Sequence, residues 1–191
     1  VRHTLAELDI DPELIDDRER ANSIRRSKEA LIESKEKLGL TGKGIVMKEQ
    51  RLWLKDDKGR PILSGKADHV EIHGDVAFVA DYKMLYGTHT PASKNPQLLT
   101  LALLTVEHYE VSQVHMVLIE PNMRPTYTIG TVNLRTLEVW KNTLTTLAEE
   151  VNRENAKRSA GWKQCRFCKA LPFCPEAREL LEKSLEVNID E

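Results

Sequence analysis

The stretch GKADHVEIHGDVAFVADYK, residues 65–83, decides how this chain folds. It reads as two β-strands, Ala67–His73 and Val76–Met84, joined by the two-residue turn Gly74-Asp75. Gly at the first central position suits a tight hairpin turn. That turn sets the register: His73 faces Val76, and stepping back along both strands brings Asp68 opposite Asp81. Directly opposed residues have Cβ atoms about 4.5–5.5 Å apart, so two carboxylates there repel unless a cation lies between them. Lys83 projects from the face of Asp81, whereas Tyr82 points the other way. Two acids and an amine on one face form a hard oxygen-ligand set, suited to Mg²⁺ or Mn²⁺. A solvated surface pair of Asp81 and Lys83 is the simpler alternative. Against it stands Val76–Ala80, a continuous apolar run that marks a strand buried on both faces, so charges at its end need partners.

Around this hairpin the chain is of ordinary globular composition. It has 191 residues and a net charge of −2, which neither favours nor excludes a nucleic-acid partner. No apolar run is long enough to span a membrane and no signal peptide is evident, so a cytoplasmic protein is expected. The chain opens on Val1 rather than methionine, which is consistent with further residues upstream. The three cysteines all lie near the C-terminus, an odd number that favours metal ligation in a reducing compartment over disulfides.

One domain is expected, in three parts: a helical segment 1–40, a core 41–153 and a basic, cysteine-containing tail 154–191. His3 and Glu7 share a face if the opening residues are helical. Leu14–Leu38 reads as a charged helix with a thin stripe of Ile15, Ala21, Ile24, Leu31 and Leu38. Ile45–Leu54 is a strand and Asp56–Gly59 a turn. Asn95 caps a helix that starts at Pro96, carries Gln97 in its first turn and runs to about Tyr109. Val111–Glu120 and Tyr127–Val132 are strands, and Leu134–Arg153 is a helix. The order helix, three strands, helix, two strands, helix predicts an α/β (α+β) fold with a mixed central sheet flanked by helices.

In the tail, Lys157, Arg158, Lys163 and Arg166 are interleaved with Trp162 and Phe167. This pattern suits phosphate contact with base stacking, and it also suits a solvated helix end. Cys165-x₂-Cys168-x₅-Cys174, followed by Pro175 and a helix, is a ligand pattern for Zn²⁺ or an iron–sulfur cluster, either of which wants a fourth ligand.

Gly65-x-x-Asp68, Asp81-Tyr82-Lys83 and Gln97 at a helix start together resemble the PD-(D/E)XK nuclease superfamily, in its RecB-like branch. Asn95-Pro96-Gln97-Leu98 is similar to phage-encoded and CRISPR-associated members, His3 to the branch's early histidine, and the cysteines to the last three ligands of its 4Fe–4S nucleases. Two departures stand out: Leu101 replaces an aromatic, and no first cysteine is present. The resemblance implies a restriction-endonuclease-like core and metal-dependent cleavage of DNA, most simply by an exonuclease acting in recombination, viral DNA processing or CRISPR adaptation. It implies that Asp68, Asp81, the Tyr82 carbonyl and His3 hold the metal, that Lys83 orients water or neutralises charge, and that Gln97 positions Lys83 or the phosphate. It also implies a bacterial, archaeal or virus-infected host cell and a possible recombination or CRISPR partner protein. The alternatives are a catalytically inactive nucleic-acid-binding module and a zinc-stapled interaction protein. Polarity, strand preference and oligomeric state are not legible.

Overall fold

The computed structural model describes residues 9, 11–84 and 89–186. The chain divides into two compact units, residues 1–146 and 147–191, and the expected basic tail from residue 154 lies within the second.

The first unit is a five-stranded mixed sheet with helices against it, in the strand order β1-β2-β3-β4-β5. The strands are β1 (Ile45–Lys55), β2 (Pro61–His73), β3 (Val76–Tyr82), β4 (Gln113–Ile119) and β5 (Tyr127–Asn133). β1, β2 and β3 form an antiparallel meander. β3 and β4 are parallel, as a connection through helix α2 (Pro96–Val106) requires, and β5 returns antiparallel to β4. The hairpin register is the expected one, with His73 opposite Val76 and His69 opposite Ala80. Gly74 supplies the positive φ, +61°, that a turn with Gly first demands.

β3 lies in the middle of this order and is buried on both faces, so its apolar run serves two cores. Ala77 and Val79 pack with Leu98, Leu101 and Leu104 of α2. Phe78 and Ala80 pack on the other side with Ala30 of helix α1 (Arg18–Lys37). α1 is shorter than the expected 14–38 because Pro12–Leu14 forms a separate 3₁₀ turn and Asp17 caps the helix. Its inner face is Ala21, Ser23, Ile24, Ser27, Ala30 and Ser34, a stripe of small residues rather than a line of leucines. Helix α3 (Leu134–Val151) begins where β5 ends, and its Leu137 is buried in the α2-side core.

In the second unit, a short helix α4 (Trp162–Cys165), a 3₁₀ turn (Leu171–Phe173) and helix α5 (Pro175–Glu186) carry the cysteines. Ala177 of α5 is buried, while Trp162, Phe167 and Phe173 are exposed. Among the described residues no helix is long and apolar enough to cross a membrane.

Candidate active site

The buried run of β3 ends on a charge. Asp81 is 3% exposed, and two side chains, Lys83 and Gln97, gather on its carboxylate. Lys83 continues alongside β4, its N–H donating to the Ile119 carbonyl at 2.8 Å, and its Nζ comes within 2.6 Å of Asp81 Oδ2. Gln97 joins the two: its Nε2 donates to Asp81 Oδ1 at 2.6 Å, and its Oε1 accepts from Lys83 Nζ at 3.0 Å. Gln97 is placed by the start of α2, where the Asn95 side chain accepts from the N–H groups of Gln97 and Leu98. Asn95 is itself fixed by donating from Nδ2 to the Thr90 carbonyl at 3.2 Å.

Asp68 enters from β2. The ladder ends at the His69–Ala80 pair, and Asp68 and Asp81 are the next residues on the two strands. Its Oδ2 accepts from the Tyr82 N–H at 3.0 Å, so the residue after Asp81 holds it in place. Burial pushes the Asp68 carboxyl up, the Tyr82 N–H opposes, and the charge of Asp81 pushes it up further. Burial also raises Asp81, against Lys83 and Gln97. Asp81 Oδ2 is buried and lacks a properly directed hydrogen bond, although the Lys83 ammonium is close. A desolvated acid pair with such an oxygen is a donor set that fits a divalent cation. Burial raises the Tyr82 phenol as well, with the Asp68 charge adding to it, so only the backbone of Tyr82 suits a ligand role. His3, the remaining expected ligand, lies outside the described residues. Among the described residues, no group of three His, Cys, Asp or Glu side chains is arranged to hold a metal.

Two further groups escaped the sequence reading. His89 Nδ1 meets Glu120 Oε1 at 2.6 Å, and Glu120 is 7% exposed at the end of β4. The signal was present: Glu120 follows the buried run Val114–Ile119 just as Asp81 ends that of β3. On the α1 side, Glu71 is ringed by Lys35 Nζ at 3.0 Å, His73 Nε2 at 3.0 Å and His69 Nε2 at 3.3 Å. Burial pushes the Glu71 carboxyl up, but the Lys35 and His69 contacts outweigh it and hold it below its usual value. A cleft of about 360 Å³ beside α1 is lined by Lys28, Lys35, Lys48, Asp68, Glu71 and Tyr82. Lys48 is paired with Asp9 there.

The tail residues are placed less tightly. The Arg166 guanidinium lies 5.8 Å from the Trp162 ring centre and 5.1 Å from that of Phe167. Arg158 faces Glu176, and Lys157 and Lys163 are exposed. Cys165 and Cys174 line an apolar cavity of about 670 Å³, whereas Cys168 is exposed and absent from its walls. The thiols do not converge in this arrangement. Cys165 Sγ accepts from the Gly161 N–H, and Cys174 Sγ donates to Glu176.

A family profile described as "Protein of unknown function (DUF2800)" matches residues 10–190. No curated protein matches. A solved structure titled "Crystal structure of SSO0001" is similar at 16% identity, covering 89% of this chain and 76% of that one, with a TM-score of 0.38, a likeness too slight to carry an argument.

Proposed function

The chain belongs to the DUF2800 family, and we propose that it is a metal-dependent DNA hydrolase, most simply an exonuclease. One observation carries the reading: a buried Asp81, one oxygen of it without a directed hydrogen bond, one residue past the ladder pair that Asp68 also adjoins and beside a held lysine. The order of its motifs, similar to that of PD-(D/E)XK nucleases, supports it. Asp68 and Asp81 would hold Mg²⁺ or Mn²⁺, with the Tyr82 carbonyl and His3 completing the set. A bound divalent ion supplies a water of lowered pKa and charge neutralisation at the phosphate. The protein does the rest. The Tyr82 N–H fixes the Asp68 carboxylate, and Gln97 fixes both Asp81 and Lys83. The held ammonium is then presented where negative charge grows on the phosphate, with little reorganisation needed. The exposed Trp162 and Phe167, with Lys157, Arg158, Lys163 and Arg166, offer a single strand stacking and charge. Zn²⁺ or a 4Fe–4S cluster would sit on Cys165, Cys168 and Cys174 only after Cys168 turned inward, and no step of the hydrolysis passes through it. The biological setting proposed is the cytoplasm, in recombination, viral DNA processing or CRISPR adaptation.

The test is incubation of end-labelled linear, circular and single-stranded DNA with Mg²⁺, Mn²⁺ or EDTA. Digestion of linear DNA with either metal, none with EDTA and none by Asp81→Ala is expected. An Asp81→Ala protein that digests DNA at the normal rate overturns the scheme.

A further inference from the structure

β3 and β4 run parallel and their carboxyl ends lie side by side. On β3, Ala77 and Val79 face α2, and Asp81 and Lys83 continue that row. On β4, Val114, Met116 and Leu118 face α2, and Glu120 is next in the same row. The Lys83 N–H bond to the Ile119 carbonyl seats the two rows in register, so the Glu120 carboxylate belongs to the same end of the sheet as Asp81 and Lys83. Glu120 is fixed from behind, its N–H donating to the Thr126 carbonyl at 2.7 Å.

A carboxylate against Nδ1 sets the tautomer of a histidine and turns Nε2 outward. His89 has this arrangement: Nδ1 is 2.6 Å from the buried Glu120. The side chain is 28% exposed. Asp81, raised chiefly by burial, is pulled back by Lys83 and also by the charge of His89, which places that imidazole within electrostatic reach of the acid pair. Nothing in the hydrolysis described above uses this pair.

We propose that His89, oriented by Glu120, is a catalytic acid that protonates the leaving oxygen when a phosphodiester is cut at the Asp68, Asp81 and Lys83 centre. This rests on the hydrolase reading. Water oxygen bonds to phosphorus and releases one proton to solvent. The bond from phosphorus to the bridging oxygen breaks, its electron pair stays on that oxygen, and the Nε2 proton of the imidazolium transfers to it. Glu120 holds the ring through Nδ1, and His89 regains its proton from solvent afterwards. No redox partner is needed.

Replacing the bridging oxygen with sulfur removes the need for an acid, because a thiolate leaves without a proton. The experiment therefore compares wild type, His89→Gln and Glu120→Gln with Mg²⁺ on oligonucleotides carrying ordinary or bridging-sulfur linkages, on the 3′ side in one set and the 5′ side in another. His89→Gln should cut the oxygen substrate on the order of 10²-fold more slowly. It should cut one sulfur set at close to the wild-type rate, and Glu120→Gln should show the same pattern in weaker form. Affinity of His89→Gln for the same DNA with Ca²⁺, read by fluorescence anisotropy, should be unchanged. Equal slowing on oxygen and sulfur, an unaffected oxygen rate, or weakened binding overturns the proposal. Should His89→Gln fail to fold, Glu120→Gln decides by the same comparison. Wild type that cuts neither substrate removes the hydrolase reading, and His89's role with it.

Discussion

Gly130→Ala tests how closely the turn ahead of α2 lies on the sheet. A Cβ at Gly130 would stand 2.6 Å from Ser93 Cα, 2.7 Å from Ser93 N and 3.0 Å from Ala92 C. Non-bonded carbon contacts are comfortable at roughly 3.5–4.0 Å. The 3₁₀ turn Ala92–Lys94 would therefore have to retreat by about 1 Å, and the obstructing atoms are backbone that cannot rotate aside. Overpacking of this kind costs about 1–3 kcal/mol. In a chain of 191 residues that lowers Tm by about 2–4 °C per kcal/mol, or roughly 2–12 °C. The same turn leads into Asn95, which caps α2 and places Gln97, and a 1 Å error at a catalytic centre can cost ~10²-fold in rate. Gly65→Ala is the milder comparison. Its Cβ meets only side-chain ends, Leu104 Cδ1 at 2.8 Å and Leu101 Cδ2 at 2.9 Å, but both leucines are buried. Gly42→Ala meets nothing within 4 Å and is the control. Thermal melts should rank Gly130→Ala as most damaging, then Gly65→Ala, with Gly42→Ala near wild type. A Gly130→Ala protein that melts with wild type would refute the close approach, and the argument for how Gln97 is held.

Asp81→Asn should stabilise the metal-free protein. The folded carboxyl is raised above its unfolded value of 3.8, chiefly by burial, so folding disfavours the ionised form. The penalty is full above the folded value and gone below 3.8. Asp81→Asn should thus melt above wild type at pH 8, with the gap closing towards pH 4, and Mn²⁺ should raise the Tm of wild type alone. A lower Tm for Asp81→Asn at pH 8 would contradict this. Lys35→Met removes the ion pair on Glu71 and should cost about 1–3 kcal/mol, since a buried carboxylate loses its charged partner. The folded Glu71 value is lowered below 4.5, so its stabilisation is present above 4.5 and lost as pH falls through the folded value. Urea melts between pH 7 and pH 3 should show a shallower acid loss in Lys35→Met than in wild type.

Much of the first unit was legible because its signals are local. The hairpin register needs only the Gly74-Asp75 turn and a period of two, and the cap at Asn95 puts Gln97 in the first turn of α2, while its contacts with Asp81 and Lys83 were indicated by the resemblance alone. The extra length of β2, Pro61–Lys66, pairs with the far half of β1, a partnership that no alternation within residues 61–66 announces. In α1 the expected Ala21 and Ile24 do face inward, but Ser23, Ser27 and Ser34 share that face, and periodicity counts serine as outward-facing. His89 and Glu120 are 31 residues apart, and only the crossover through α2 brings them together. In the tail, the even spread of exposed aromatics and bases left stacking and solvation equally readable, and Arg166 between two rings does not separate them.

The serines of α1 have an energetic consequence. Ser27 and Ser34 direct their hydroxyls to carbonyls of their own helix, the Ser23 and Leu31 oxygens, so lifting the helix breaks neither bond. The helix is held instead by Ser23 Oγ on Asn122, by Lys35 on Glu71 and by the buried Phe78, Val117 and Ile119 that it covers, whose exposure costs roughly 25 cal/mol per Å². α1 also walls the cleft that reaches Asp68, so the hold of this helix on the sheet governs how open that side of Asp68 is.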